Sequence, residues 1–118
     1  MIDLLLQAER SLSVGLADEA ERLYRQVLAS DPANSIAVVG LARVALERAD
    51  DRGAYEQARR ALAIDPENVA AQRLVTRLEE VFAHRGEPVP TVEQGTSDSA
   101  PPAAPRRPGL LRRLITRR

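Results

Sequence analysis

The stretch Asp31-Pro32-Ala33-Asn34 returns 34 residues later as Asp65-Pro66-Glu67-Asn68, and no other feature of this chain restricts its fold as strongly. The same offset pairs Ile2 with Ile36, Ala8 with Ala42, Leu12 with Leu46 and Ala20 with Ala54. It also pairs Arg25 with Arg59, Leu28 with Leu62, and Ala29 with Ala63. Ten of 34 positions are therefore identical without a gap. A period of this length marks a repeated supersecondary unit, which buries its apolar face by stacking on its neighbour.

Each unit reads as two helices. Between Ala17 and Ser30, the residues Ala20, Leu23, Tyr24, Val27 and Leu28 recur at helical spacing. Asp18 and Glu19 favour the positive end of that helix dipole. Asp31-Pro32 stops it, because the residue before a proline is pushed out of the helical region. Asn34 is the expected N-cap of the next helix, and Asn68 repeats the arrangement. The second unit predicts helices over Ser35–Arg48 and Arg52–Ile64, the latter packing through Ala54, Ala58, Ala61 and Leu62. A fifth helix is predicted over Glu67–His84, with Ala71, Leu74, Val75, Leu78, Val81 and Phe82 on one face and a polar outer side. A stack of repeats needs such a closing helix at its end.

These residues resemble the tetratricopeptide repeat. That pattern has small residues at three fixed places, an aromatic in the second helix and a proline at the turn. Ala8, Gly15, Ala20, Tyr24, Leu28 and Pro32 fall on its places in the first unit. Leu41, Ala42, Ala54, Ala61, Leu62 and Pro66 do so in the second. Leu4 and Val38 replace the family's large aromatic, Gln7 replaces a leucine, and Ala58 replaces the second-helix aromatic with Tyr55 close by as a filler. The resemblance implies an all-α fold over residues 1–84. It consists of two helix-turn-helix repeats (1–34 and 35–68) and a capping helix (67–84), together a short α-solenoid.

It also implies a binding surface. In such solenoids the first helices of each pair line the concave side, through the second, fifth, ninth and twelfth positions of the unit. Here these are Ile2, Leu5, Glu9 and Leu12, then Ile36, Val39, Arg43 and Leu46. The closing helix adds Ala70, Arg73, Arg77 and Glu80. The implied groove is apolar at its N-terminal end and lined with arginine toward its C-terminal end, and it would hold a protein or peptide partner. Arg73 and Arg77, four residues apart, repel each other mildly unless an anion sits between them. Guanidinium groups take carboxylates in bidentate fashion, which suits an acidic peptide. The alternative is pairing within a helix: Arg77 with Glu79 or Glu80, and Arg43 with Glu47.

Catalytic equipment is sparse. There is no cysteine and no lysine, all 17 basic residues are arginine, and His84 is the single histidine. Thiol nucleophiles, thiolate metal sites and Schiff bases are thereby excluded, and no glycine-rich phosphate loop is present. The expectation is a non-enzymatic adaptor without cofactor or metal. The N-terminal segment carries Asp3, Glu9 and Arg10 and does not read as a secretory signal, so a cytoplasmic protein is expected. Lysine-free, alanine-rich usage points to a bacterium with a GC-rich genome.

The zero net charge conceals a polarity. Residues 1–84 hold ten arginines against fourteen acids, and residues 85–118 hold seven arginines against three. Residues 85–108 are rich in proline and read as a disordered linker. In the last segment, 109–118, Leu110, Leu111, Leu114 and Ile115 share one helical sector, while Arg112, Arg113 and Arg117 share the other. So short a helix forms only on contact. An anionic membrane surface or a protein groove, including this chain's own acidic body, accepts both sectors. Nucleic acid accounts for the charge alone, and the remaining alternative is a solubilising tail with no partner. Finally, the run Leu4-Leu5-Leu6 either packs inward or is covered by a partner or a second copy.

Overall fold

The computed structural model describes residues 2–91 of the chain, in which five α-helices form and no strand. They are α1 (Ile2–Ser13), α2 (Ala17–Ser30), α3 (Ser35–Glu47), α4 (Asp51–Ile64) and α5 (Val69–His84). Most of the linker and the whole segment 109–118 lie outside the described residues. α1 pairs with α2 and α3 with α4, α2 packs on α3, and α5 closes on α4. The expected all-α architecture of two hairpins and a capping helix is thus observed.

Local chemistry sets the boundaries. The Asn34 side chain accepts a hydrogen bond from the Ala37 amide, and Asn68 accepts one from Ala71, each at 3.0 Å. Asp50 caps α4 in the same way through the Gly53 amide at 2.9 Å. α5 therefore starts at Val69 and not at Glu67, because Asn68 is the cap and Pro66 and Glu67 form the turn that delivers it. α1, α3 and α5 end alike, with a 2.8–2.9 Å bond to a carbonyl five residues back: Leu16 N to Ser11 O, Asp50 N to Ala45 O, and Glu87 N to Phe82 O. This closure needs a positive φ at the preceding residue. Gly15 (φ 84°) and Gly86 (φ 70°) supply it without strain, whereas Ala49 adopts it at φ 59°.

The core runs along the stack. Ala8, Leu12, Leu23, Tyr24, Val27, Leu41 and Val44 join the first hairpin to α3. Ala42, Ala54, Tyr55, Ala58, Val75, Leu78 and Phe82 join the second hairpin to α5. Tyr24 is completely buried, and its ring lies where a β-carbon on Gly40 would stand, 2.3 Å from Cε1 and Cζ. Glycine lets α3 approach that ring. Tyr55 fills the room left by Ala58, as its position suggests, and meets Phe82 edge-on with ring centres 5.9 Å apart.

The stack changes character at its outer helices. α3, flanked on both sides, buries Ala37, Leu41 and Val44 against α2, and packs Ala42, Ala45 and Leu46 toward α4 and α5. One repeat earlier, Asp3, Gln7 and Arg10 of α1 stand exposed in place of the first set. One repeat later, α5 replaces the second set with exposed Thr76 and Glu80 and half-buried Glu79. The polar substitutions on α5 are what make it a capping helix.

Candidate partner-binding face

The first helix of each unit brings its ninth residue into register with that of the next: Glu9, Arg43, Arg77. Glu9 and Arg43 meet. Arg43 Nη1 donates to both carboxylate oxygens of Glu9, at 2.7 and 2.9 Å, and the Tyr24 hydroxyl donates to Glu9 Oε2 at 2.5 Å. Partial burial pushes the Glu9 carboxyl up, but the hydrogen bonds from Tyr24 and Arg43 and the Arg43 charge together outweigh it, and the net pKa lies below the ordinary 4.5. Burial, then the bond to Glu9 and its charge, raise the Tyr24 phenol well above its usual range. Glu9 is therefore held ionised, and Arg43 is paired with it. The expected Arg43–Glu47 pair is not formed, because the cross-repeat carboxylate is presented directly to the guanidinium and is fixed there by Tyr24.

Arg73 and Arg77 differ. Both are exposed on α5, and among the described residues neither has a carboxylate within ion-pair distance. Glu79, one expected partner of Arg77, instead accepts the Tyr55 hydroxyl at 2.8 Å. Burial, then that bond and the Glu79 charge, raise the Tyr55 phenol, with Arg59 opposing. Gln72, Arg73, Thr76, Arg77 and Glu80 border a shallow open depression along α5.

The apolar part of the expected groove is smaller than its residue types imply. Leu12 and Val39 are buried in the core, and Leu5 and Leu46 are half-buried against it. The cause is the central position of α3. Val39 is covered by the group around Ala61 and Ala71, while Leu12 seals the first hairpin. Ile2 and Ile36 remain more than half exposed, and so does Val69, which sequence reading passed over. Within the run Leu4–Leu6, Leu4 and Leu5 turn toward the core and Leu6 stays exposed. The tail residues Leu110 to Arg117 are not among the described ones.

Ion pairs fasten the opposite ends of the helices. Arg48 bonds Asp18 and, at 2.8 Å, Glu21, tying the end of α3 to the start of α2. Arg85 reaches Asp51 at 2.9 Å and ties α5 to α4 similarly. Arg73 and Arg77 on α5 have no such partner among the described residues and stand open to an outside anion.

Stacked helical hairpins closed by a polar-faced helix define the class: a short α-solenoid. The model of the Tetratricopeptide repeat family matches residues 11–78, more than half of the chain, and the chain belongs to that family. No curated protein and no solved structure matches it. Tetratricopeptide repeats generally mediate protein–protein interaction and are typically scaffold-like and non-enzymatic. Among the described residues, no helix is long and apolar enough to cross a membrane.

Proposed function

We propose that this protein is a non-enzymatic adaptor that holds an acidic peptide or partner helix on the face shared by α1, α3 and α5. One observation carries this reading. Arg73 and Arg77 sit one turn apart, exposed and without a carboxylate partner among the described residues, on a helix whose neighbouring helix has its Arg43 paired with Glu9. Two like charges on adjacent turns are mildly unfavourable alone and become favourable when a carboxylate bridges them. Ile36 and Val69 offer apolar contact beside them, and Ile2 extends it toward α1. Curvature of stacked helical pairs makes this the concave side.

The basic segment 109–118 supplies a second contact. Its separation of Leu110, Leu111, Leu114 and Ile115 from Arg112, Arg113 and Arg117 fits a groove on another protein or an anionic membrane surface. The second of these would make the protein a peripheral membrane protein anchored by its C-terminus. The primary reading is tested with an array of acidic, neutral and basic peptides probed with the 118-residue chain. Retention on acidic peptides that is lost for Arg73→Glu/Arg77→Glu supports it. Equal retention of both proteins rejects it.

A further inference from the structure

The large apolar side chains that stay exposed among the described residues are unevenly spread. Ile2, Leu6, Val14 and Leu16 belong to α1 or to the turn that follows it. At 3.6 residues per turn, Ile2, Asp3, Leu6 and Arg10 share one sector of α1, opposite the core residues Ala8 and Leu12, and Val14 continues that sector into the turn. Shifted by one repeat, Asp3, Leu6 and Arg10 correspond to Ala37, Gly40 and Val44, on the side of α3 that faces α2. α1 thus repeats a helix-docking side without a described helix on it.

Its charges say what fits there. Asp3 and Arg10 are exposed and have no ion-pair partner among the described residues. They lie seven residues apart, about 10 Å along the axis, with Leu6 between them. An acid three residues before a leucine and a base four residues after it complement the same surface turned end for end. The exposed face of α5 carries Val69 at its N-terminal end and is otherwise polar along its length, through Gln72, Arg73, Thr76, Arg77 and Glu80, so head-to-tail stacking of copies offers Leu6 no apolar match in the middle of that helix.

We propose that α1 packs antiparallel against α1 of a second copy about a two-fold axis beside Leu6. Asp3 of each copy then faces Arg10 of the other, the two Leu6 side chains meet at the centre, and Val14 lies at the rim. The interface is isologous and closes at two copies. It lies apart from Arg73 and Arg77, so each dimer presents two arginine faces.

Sedimentation equilibrium of the 118-residue chain tests this, from micromolar concentration to about 100 µM, with helicity checked by circular dichroism. A monomer–dimer equilibrium is expected. Asp3→Arg places four positive charges at the interface and Arg10→Asp four negative ones. Each variant alone should dimerise at least about tenfold more weakly. An equimolar mixture of the two should dimerise again, as should the doubly exchanged Asp3→Arg/Arg10→Asp chain. A wild-type chain that stays monomeric overturns the proposal. So does a dimer indifferent to either reversal, or helical variants whose mixture shows no recovery. Peptide binding by an Arg73→Glu/Arg77→Glu chain is unaffected by any of these outcomes, so the two readings stand or fall separately.

Discussion

Gly40→Ala is the sharpest structural test, because two opposing effects have calculable size. Alanine in a helix interior is favoured over glycine by about 1 kcal/mol. Against that gain, the new β-carbon stands 2.3 Å from Cε1 and Cζ of Tyr24 and 2.6 Å from Cδ1. Carbon atoms rest at about 3.5–4.0 Å, so ring or helix must move by more than about 1 Å. The ring has nowhere to go: Tyr24 is completely buried, and its hydroxyl is held by Glu9 at 2.5 Å. Overpacking of this kind costs about 3 kcal/mol at the upper end. The net loss is then about 2 kcal/mol, or a melting temperature lower by about 10 °C for a domain of this size. Thermal unfolding followed by circular dichroism measures it. In a Tyr24→Val background, where Cδ1, Cε1 and Cζ are all gone, the same substitution should reverse sign and stabilise by about 1 kcal/mol. A stabilising Gly40→Ala in the wild-type chain, or the same effect in both backgrounds, would refute the reasoning.

Ala49 holds a left-handed conformation that its repeat counterpart Gly15 adopts freely. Ala49→Gly should therefore stabilise by about 0.5–1 kcal/mol, after the greater freedom of glycine in the unfolded chain is deducted, and calorimetry reads the rise in melting temperature. Glu9 keeps its charge to lower pH in the folded protein than in the unfolded chain, so the unfolded chain takes up the proton first. Its contribution is complete above pH 4.5 and is lost as pH falls from there through the folded pKa; urea titrations across that window should show a shallower decline for Glu9→Gln. For the C-terminal segment, co-sedimentation with anionic vesicles should fall to background when residues 106–118 are removed, and unchanged sedimentation would dismiss a membrane contact for it.

The fold was legible because its determinants are local and repeated. Asn34 and Asn68 each cap one helix, Pro32 and Pro66 each end a hairpin, and the small residues Ala8, Ala42, Ala20 and Ala54 mark close approach. Where a residue departed from the period, local spacing still found its replacement, as with Tyr55 beside Ala58. The binding face was less legible, since the same register position has different neighbours along a short stack. Val39 occupies the position of Leu5 and Arg73, yet it alone is buried, because its helix is central. The Glu9–Arg43 bond had a visible signal, opposite charges one repeat apart, which the i to i+4 pairing of Arg43 with Glu47 obscured. The third member, Tyr24, could not be read from spacing, because it reaches Glu9 from the neighbouring helix.

Fluorescence anisotropy with a labelled acidic peptide selected on the array addresses the functional account most directly. The wild-type chain is titrated beside Arg73→Glu/Arg77→Glu and beside Arg22→Glu, whose arginine pairs with Glu19 on the exposed side of α2. Each guanidinium–carboxylate hydrogen bond is worth about 1.5–3 kcal/mol, so the double reversal should weaken binding at least about hundredfold, while Arg22→Glu should leave it within about threefold. Equal affinity of the wild-type and doubly reversed chains would contradict the assignment of α5 as the anchoring helix.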